Sequence, residues 1–473
     1  MPDFSRLELD EVDLRALVAA AVDRICGELR ALPGRAACTL DGGAELARSL
    51  REPLPRTGSP LPELLATIFD RALPVSYNTP GPGYLAYIPG GGLLHAAVAD
   101  LIADAINRYV GLWRAAPGLV QLESNVIAWL CEIVGLPAGS GGVLTSGGSL
   151  ANFSATVAAR HRLGERFADG TIYTSTQAHH SVARAAILAG FPAGQVRAAA
   201  VDERQRVRVD RVAAAIAEDR AAGRRPCLIV ASAGTTNTGA VDDLEALADL
   251  AAREQVWLHV DGAYGGSFAL TERGRAALRG LGRADSITLD PHKGFFLPYG
   301  TGALLVRDPA ALRRAHSLHA DYLPPMQEDP DFVDFCELSP ELSRDFRGLR
   351  LWLPLKLVGV DGFAAALDEK LDLAQHAAEV LGGMAEVELL APPQLSLLAF
   401  RHAPARLRGD EAALNEHNER LLAAINRRGR VYLTSTRLAG RFVLRICVLS
   451  FRTHRDRIDA GLADIAAAIA ELG

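Results

Sequence analysis

Lysine has almost vanished from this 473-residue chain, so the lysines that remain are the first residues to read. Of 50 Lys and Arg side chains only three are lysine: Lys293, Lys356 and Lys370. Lys356 and Lys370 fall in amphipathic helical text, where a solvated lysine is ordinary. Lys293 instead ends a short apolar run, Ser-Ile-Thr-Leu-Asp-Pro-His-Lys-Gly. Arginine cannot replace lysine in one task, condensation with a carbonyl to an imine, because a guanidinium stays protonated and is not nucleophilic. A composition that turns nearly every other base into arginine yet keeps Lys293 points to that chemistry. Asp261, in Leu-His-Val-Asp-Gly-Ala-Tyr-Gly-Gly, supplies a carboxylate of the kind that holds a pyridinium nitrogen.

A Schiff-base lysine together with an aspartate on a ring nitrogen is how proteins hold pyridoxal 5′-phosphate (PLP). Three other segments fit the same ligand. Thr145-Ser-Gly-Gly-Ser149 precedes a predicted helix. Its glycines let backbone N–H groups crowd an anion, Ser149 can cap the helix, and the helix dipole favours phosphate there. His179, in Thr-Gln-Ala-His-His-Ser directly after a predicted strand, is either a turn histidine or a ring stacked flat on the cofactor. Ala263, two residues past Asp261, is small enough to lie under the opposite face.

The elements that must position these residues follow from periodicity. Residues 10–32 carry a helical stripe (Leu14, Leu17, Val18, Ala21, Val22, Ile25, Leu29) that Pro33-Gly34 stops. A Gly/Pro/Arg-rich arm with a short helix covers 34–60, a second helix about 61–72, and a Pro/Gly-dense segment 78–92. From about residue 120 the text alternates in αβ style. Strand-like runs at 171–174, 227–232, 256–260, 286–289 and 302–306 are separated by helical stretches such as 181–189, 210–221 and 242–253. This pattern predicts a mainly parallel sheet with helices on both faces. One long helix over about 350–381, strands near 394–400 and 442–449, and a helix at 455–471 predict a smaller α+β domain. The expected division is a helical N-terminal segment (1–105), a large αβα domain (106–348) and a small C-terminal domain (349–473).

Bulk properties exclude other classes. The net charge is −6 with no basic stripe, which argues against nucleic acid or an anionic membrane as the main partner. No apolar run approaches the roughly 20 residues that span a bilayer, and the acidic N-terminus does not read as an export signal. The six cysteines are scattered without metal-ligand spacing, so no metal is expected and reduced thiols in a cytoplasmic protein are. No Gly-x-Gly-x-x-Gly opens a helix after the first strand, which disfavours a dinucleotide-binding reductase.

His179, Asp261, Ala263 and Asp290-Pro-His-Lys293 stand in the order and spacing of the group II PLP-dependent amino-acid decarboxylases, which include the aromatic-amino-acid, histidine and glutamate decarboxylases. The resemblance continues through Tyr84-Leu-Ala-Tyr-Ile-Pro89, Gln121-Leu-Glu123, Ala231-Ser-Ala-Gly-Thr-Thr236, Phe346-Arg-Gly-Leu-Arg-Leu-Trp352 and Phe442-Val-Leu-Arg445, so it covers nearly the whole chain. It implies a fold-type-I PLP enzyme of the aspartate-aminotransferase kind, a homodimer whose N-terminal helices wrap the partner, and active sites at the interface. It also implies that Lys293 binds the cofactor covalently, that Asp261 holds its ring nitrogen, and that His179 and Ala263 sandwich the ring. Gly148, Ser149 and His292 match cofactor-binding positions, and Thr236 the position near the ring hydroxyl. Asp290 departs from relatives that carry asparagine, and Gly294 from relatives that carry tryptophan or another nonpolar residue.

Tyr322, in His-Ala-Asp-Tyr-Leu-Pro-Pro, resembles the mobile-loop tyrosine that delivers a proton after CO₂ departs. Its presence favours simple decarboxylation over the aldehyde-forming outcome of members with phenylalanine there. The resemblance places Tyr84, Tyr87, Arg114, Ser343 and Arg445 near the substrate. An apolar, aromatic wall of Tyr84, Tyr87, Ile88 and Pro89 suits a ring, and Ser343 falls where plant relatives with phenolic substrates carry serine. Arg114 either turns inward to hold an acidic side chain or is a solvated helix arginine. The expected substrate is an aromatic amino acid, tyrosine or DOPA before tryptophan. The alternatives are glutamate, aspartate or cysteine sulfinate, and decarboxylation with deamination to an aldehyde.

Overall fold

The structure, a computed structural model, describes residues 3–318, 326–329 and 331–472. Its centre is a seven-stranded sheet built from β1 (Gly141–Thr145), β2 (Gly170–Ser175), β3 (Val196–Ala199), β4 (Arg225–Ser232), β5 (Trp257–Asp261), β6 (Ser286–Leu289) and β7 (Gly302–Val306). The strand order is β1-β7-β6-β5-β4-β2-β3. Neighbours from β6 through β5, β4 and β2 to β3 pair in parallel, and β7 runs antiparallel to both β1 and β6. Most of these strands are near-continuous apolar runs because helices cover both faces and each is buried on both sides. The C-terminal part carries an antiparallel sheet, β8 (Val387–Leu389), β9 (Leu397–His402), β10 (Thr434–Leu438) and β11 (Arg441–Cys447), in the order β10-β11-β9-β8. Helix Val360–Gly382 lies against it, and helices Glu411–Arg427 and Arg455–Leu472 complete that core. The fold is therefore α/β with a mainly parallel sheet, a small α+β part and a helical N-terminus.

Three expectations are corrected. The helix expected over 350–381 is two helices, Arg347–Val358 and Val360–Gly382. Gly359 N–H caps the first through Leu355 O, and a φ of +79° then turns the chain, a left-handed conformation that glycine adopts without a Cβ penalty. Helices Leu94–Ile106 and Glu411–Arg427 were not expected, although their apolar spacing is helical. Lys370, expected to be solvated, is fully buried, with its Nζ donating to Thr453 O at 2.6 Å and to Glu369 at 2.7 Å. Burial pulls its pKa down, and Glu369 only partly offsets this. Lysine survives there as a compact donor in a tight space, a packing role and not a covalent one. Lys356 is exposed, as expected.

One ion pair fixes the edge of the large sheet. Arg344 and Glu123 have no exposed side-chain surface and meet at 2.5 Å. Glu123 also accepts the Gly348 N–H at 3.0 Å, and Arg344 and Arg347 both donate to the carbonyl of Leu144 on β1 at 3.2 Å. Helix Pro117–Ile133, the start of helix Arg347–Val358 and the end of β1 are thus tied at one point. Glu123→Gln keeps the shape but leaves a buried guanidinium without its counter-charge. The expected cost is about 3–5 kcal/mol, read as a lowered denaturant midpoint, and wild-type stability in that variant would refute this account.

Candidate functional site

The five central loops of the site leave the sheet at the carboxyl ends of its strands, where open α/β sheets bind ligands. β1 ends at Thr145 and leads through Ser146-Gly147 into helix Gly148–His161; β2 leads to His179, β4 to Thr236, β5 ends in Asp261, and β6 leads to Asp290 and Lys293. Together they line a cavity of about 310 Å³, the size of a small-molecule site. Lys293, Asp261, His179, Ala263, Gly148, Ser149, Thr236 and His292 all face it. Every cofactor-binding residue expected from the sequence is thus brought to one place.

Close backbone approach shapes the cavity floor. A Cβ on Gly302 of β7 would lie 2.6 Å from the Gly147 backbone, and one on Gly148 would lie 3.1 Å from Asp290 and 3.2 Å from Ala263. These glycines let the turn at the helix N-terminus sit directly on its neighbours, and a helix N-terminus favours an anion. Gly294 has a similar cause, since a Cβ there would overlap Ser267. The departure from larger residues at that position therefore follows from packing beneath Lys293.

The charges are arranged around Lys293. Its Nζ lies 2.8 Å from Asp290 Oδ2. Burial pulls the lysine pKa down, but the charge and hydrogen bond of Asp290, with help from Asp261, outweigh it and hold the pKa above its usual value. Asp290 Oδ1 is buried with no hydrogen-bond partner. His292 places Nδ1 2.7 Å from the carbonyl of Thr301. A carbonyl only accepts, so Nδ1 carries the proton, and burial lowers the His292 pKa and keeps the ring neutral. Asp261 is 9% exposed. Its Oδ2 accepts from Asn152 Nδ2 at 3.0 Å and its Oδ1 from the Ala263 N–H at 3.2 Å.

Asn152, to which the sequence analysis assigns no role, is the hub behind these groups. It also contacts Ser181, His259 and Thr288. A buried asparagine one helical turn after a Gly-Gly-Ser turn was the only available signal.

The residues expected at the substrate do not line this cavity. Tyr84 is buried in a stack with Tyr77 and Tyr432, its ring centroid 6.0 Å from each. Tyr87 has φ +50° and is 49% exposed. Arg114 and Ser343 are exposed. Arg445 is buried, but its guanidinium is engaged by the carbonyls of Thr236, Asn237 and Tyr87 and by Thr434 Oγ1. It clamps the Thr236 loop to β11 and has little left to offer a ligand. Tyr322 lies outside the described residues.

A lysine amine, a buried carboxylate and a helix N-terminus around one cavity fit the carbonyl, ring nitrogen and phosphate of PLP. Comparison with known proteins agrees. Residues 46–403 match the family model described as the pyridoxal-dependent decarboxylase conserved domain. The chain is 36% identical over 454 residues to an aromatic-L-amino-acid decarboxylase of Bacillus atrophaeus, covering 96% of this chain and 94% of that protein. It is 35% identical over 409 residues to an L-2,4-diaminobutyrate decarboxylase of Rhizobium meliloti, covering 86% and 81%. Among solved structures it is similar to Oryza sativa TDC with PLP and tryptamine, with a TM-score of 0.93 and 26% identity over 99% of both chains. The chain belongs to the pyridoxal-dependent decarboxylase family and is a PLP-dependent amino-acid carboxy-lyase.

Proposed function

We propose that the substrate is an aromatic L-amino acid, tyrosine or DOPA before tryptophan, released as the amine and CO₂. The observation that carries this reading is the 36% identity, over nearly the full length of both chains, to an aromatic-L-amino-acid decarboxylase. Arg114 is exposed and does not line the cavity that holds Lys293 and Asp261, which favours the aromatic reading over an acidic substrate.

In this reading Lys293 holds the cofactor through Nζ, and the N-terminus of helix Gly148–His161 with Ser149 holds its phosphate. His179 and Ala263, which line the cavity, would contact the ring, and Thr236 would stand near its hydroxyl. Asp261 keeps a proton on the ring nitrogen by opposing its charge. When bound, PLP supplies an electron sink for the bond between Cα and the carboxylate. The residues of the chain orient that bond and exclude water. Tyr322, assigned on the sequence resemblance alone, gives a proton to the substrate Cα.

We assign the functional unit as a homodimer. Helix Leu94–Ile106 exposes Val98 at 52%, Leu101 at 51% and Ile102 at 42%, and helix Glu11–Ala31 exposes Val12, Leu14 and Val22. Apolar rows of this extent on a water-facing surface support a partner, and a second copy matches the family resemblance. The domain limits near 105/106 and 348/349 belong to the same reading. All six thiols are free, which supports a reducing compartment such as the cytoplasm; among the described residues no helix is long and apolar enough to cross a membrane.

Incubation of the holoenzyme with a panel of aromatic, acidic and diamino L-amino acids, with the amines identified, tests the substrate. Tyramine or dopamine should dominate, and turnover confined to an acidic or diamino substrate would overturn the choice. Borohydride should leave the pyridoxyl mass on Lys293, and recovery of that mass on Lys356 or Lys370 would remove Lys293 from its role. Tyr322→Phe should slow amine formation by about 10²-fold and let dissolved O₂ divert turnover to aldehyde and ammonia; unchanged amine output excludes it as the donor.

Asp290→Asn tests the charge at Lys293. Removing the carboxylate lowers the lysine pKa, so more free-base amine is present at a given pH. Each unit of pKa lost raises that fraction about tenfold. Capture of PLP by the cofactor-free variant, followed by absorbance, should therefore reach its plateau at lower pH than in the wild type. Coincident profiles would show that Asp290 does not control the amine. For assembly, the double variant Val98→Glu, Leu101→Glu should sediment as a monomer, and a dimer of normal stability would place the interface elsewhere.

A further inference from the structure

Behind Asp261 lies a run of buried side chains whose donors and acceptors pair in one consistent direction. The Trp257 indole N–H can only donate, and it meets Ser286 Oγ at 2.7 Å. Ser286 Oγ in turn lies 2.8 Å from His259 Nδ1. His259 Nε2 lies 2.9 Å from Asn152 Oδ1, which also accepts from Thr288 Oγ1 at 2.7 Å. Asn152 Nδ2 then meets Asp261 Oδ2 at 3.0 Å and Ser181 Oγ at 2.9 Å. The reversed amide would put an oxygen against the Asp261 carboxylate, two acceptors with no proton between them. So Nδ2 faces Asp261, Oδ1 takes the His259 Nε2–H, and Nδ1 accepts the Ser286 proton. Asn152, His259, Ser286 and Thr288 are each no more than 2% exposed. Burial drives the His259 pKa down to about 4 although Asp261 opposes this, so the ring carries one proton.

A branch from the same amide reaches His179. Ser181 Oγ accepts from Asn152, so its own proton is free for His179 Nδ1 at 2.8 Å. The Ser181 backbone N–H donates to the same nitrogen at 3.3 Å. Nδ1 therefore carries no proton, and the neutral ring, its pKa lowered by burial against the pull of Asp261, is protonated on Nε2. All donors of the main run point toward Asp261, and charge-assisted bonds at the end of such a chain strengthen one another.

We propose that Trp257, Ser286, His259 and Asn152 form a positioning relay that fixes Asp261 as an acceptor, holding a proton on the cofactor ring nitrogen, and fixes His179 as the Nε2–H tautomer. This deepens the assignment of Asp261 to the ring nitrogen and rests on it. A carboxylate that loses a donor becomes the stronger base, and the shared proton moves from the ring nitrogen toward Asp261. The ring then draws less electron density from Cα.

The test uses full-length holoenzyme loaded with PLP carrying ¹⁵N in the ring, whose chemical shift reports protonation at that nitrogen. Ser286→Ala and His259→Leu break the relay. Both should move the ¹⁵N signal toward the unprotonated position and lower kcat about tenfold, a barrier change of one pKa unit, with KM little changed. His259→Gln, whose amide can still donate to Asn152, should restore the signal. Trp257→Phe removes only the terminal N–H and serves if a more central variant fails to fold. An unmoved ¹⁵N signal in Ser286→Ala or Trp257→Phe protein that binds PLP overturns the relay, as does failure of His259→Gln to restore it. Asp261→Ala separates the two levels. If it leaves the signal unmoved, the ring-nitrogen assignment itself falls; if it moves the signal and the remote variants do not, only the relay falls.

Discussion

The carboxylate of Asp261 ends a central strand of the large sheet with less than a tenth of its surface exposed, and a buried charge in that position must be compensated by groups the fold supplies. Asn152 supplies one N–H and the Ala263 backbone another. This requirement reaches further than the ring nitrogen. Asn152 is four residues into helix Gly148–His161, so it stands one turn below Gly148 and Ser149 on the same helix. The helix whose N-terminus opens on the cavity is therefore the helix that braces the carboxylate. The Gly-Gly-Ser turn and the Asp261 carboxylate are thus linked through one turn of α-helix.

That helix can start where it does only because β1 delivers it. β1 lies at the sheet edge and pairs solely with β7, and Gly302 on β7 lets the Gly147 backbone approach within reach of no side chain larger than hydrogen. The carbonyl of Leu144, next to last in β1, is held from the other side by Arg344 and Arg347, and Arg344 is fixed by Glu123. A buried ion pair is weak evidence for net stability against an apolar alternative. Here it gives direction: three elements distant in sequence meet at the strand from which the Gly-Gly-Ser turn departs.

Much of this was legible in the residues, and the boundary of legibility is physical. Asp261 ends a strand, and Lys293, His179, Ala263 and the Gly-Gly-Ser turn each follow one; motifs at strand ends keep their spacing because the sheet does. The scarcity of lysine located Lys293, yet Lys370 shows that scarcity alone does not single out covalent chemistry, since a buried ammonium can also be kept for packing. The hydrogen-bonded run from Trp257 to Asn152 left little trace. Its members alternate along β5 and β6 as single polar residues in apolar strands, and only the parallel pairing of His259 with Ser286 and Asp261 with Thr288 brings them together. The break at Gly359 was missed because the apolar text runs on through Leu357, Val358 and Val360, all of them exposed at the junction.

The substrate side was the least legible, and the reason is the same contrast seen from the other direction. Groups that hold a cofactor must meet defined atoms at hydrogen-bond distance, so they converge on one cavity from the ends of five strands. Groups that select a side chain need only present a wall, and walls can be assembled from surfaces. Tyr87 and Arg114 lie on outer surfaces of one chain, and Arg445 spends its guanidinium on the backbone of Thr236, Asn237 and Tyr87. Arg445 thereby couples the loop near the cofactor to the residue whose left-handed φ turns the Tyr84–Pro89 segment. The groups around Lys293 and Asp261 are thus assembled within one chain, whereas the Tyr84–Pro89 segment stands apart from them and is joined to them through Arg445.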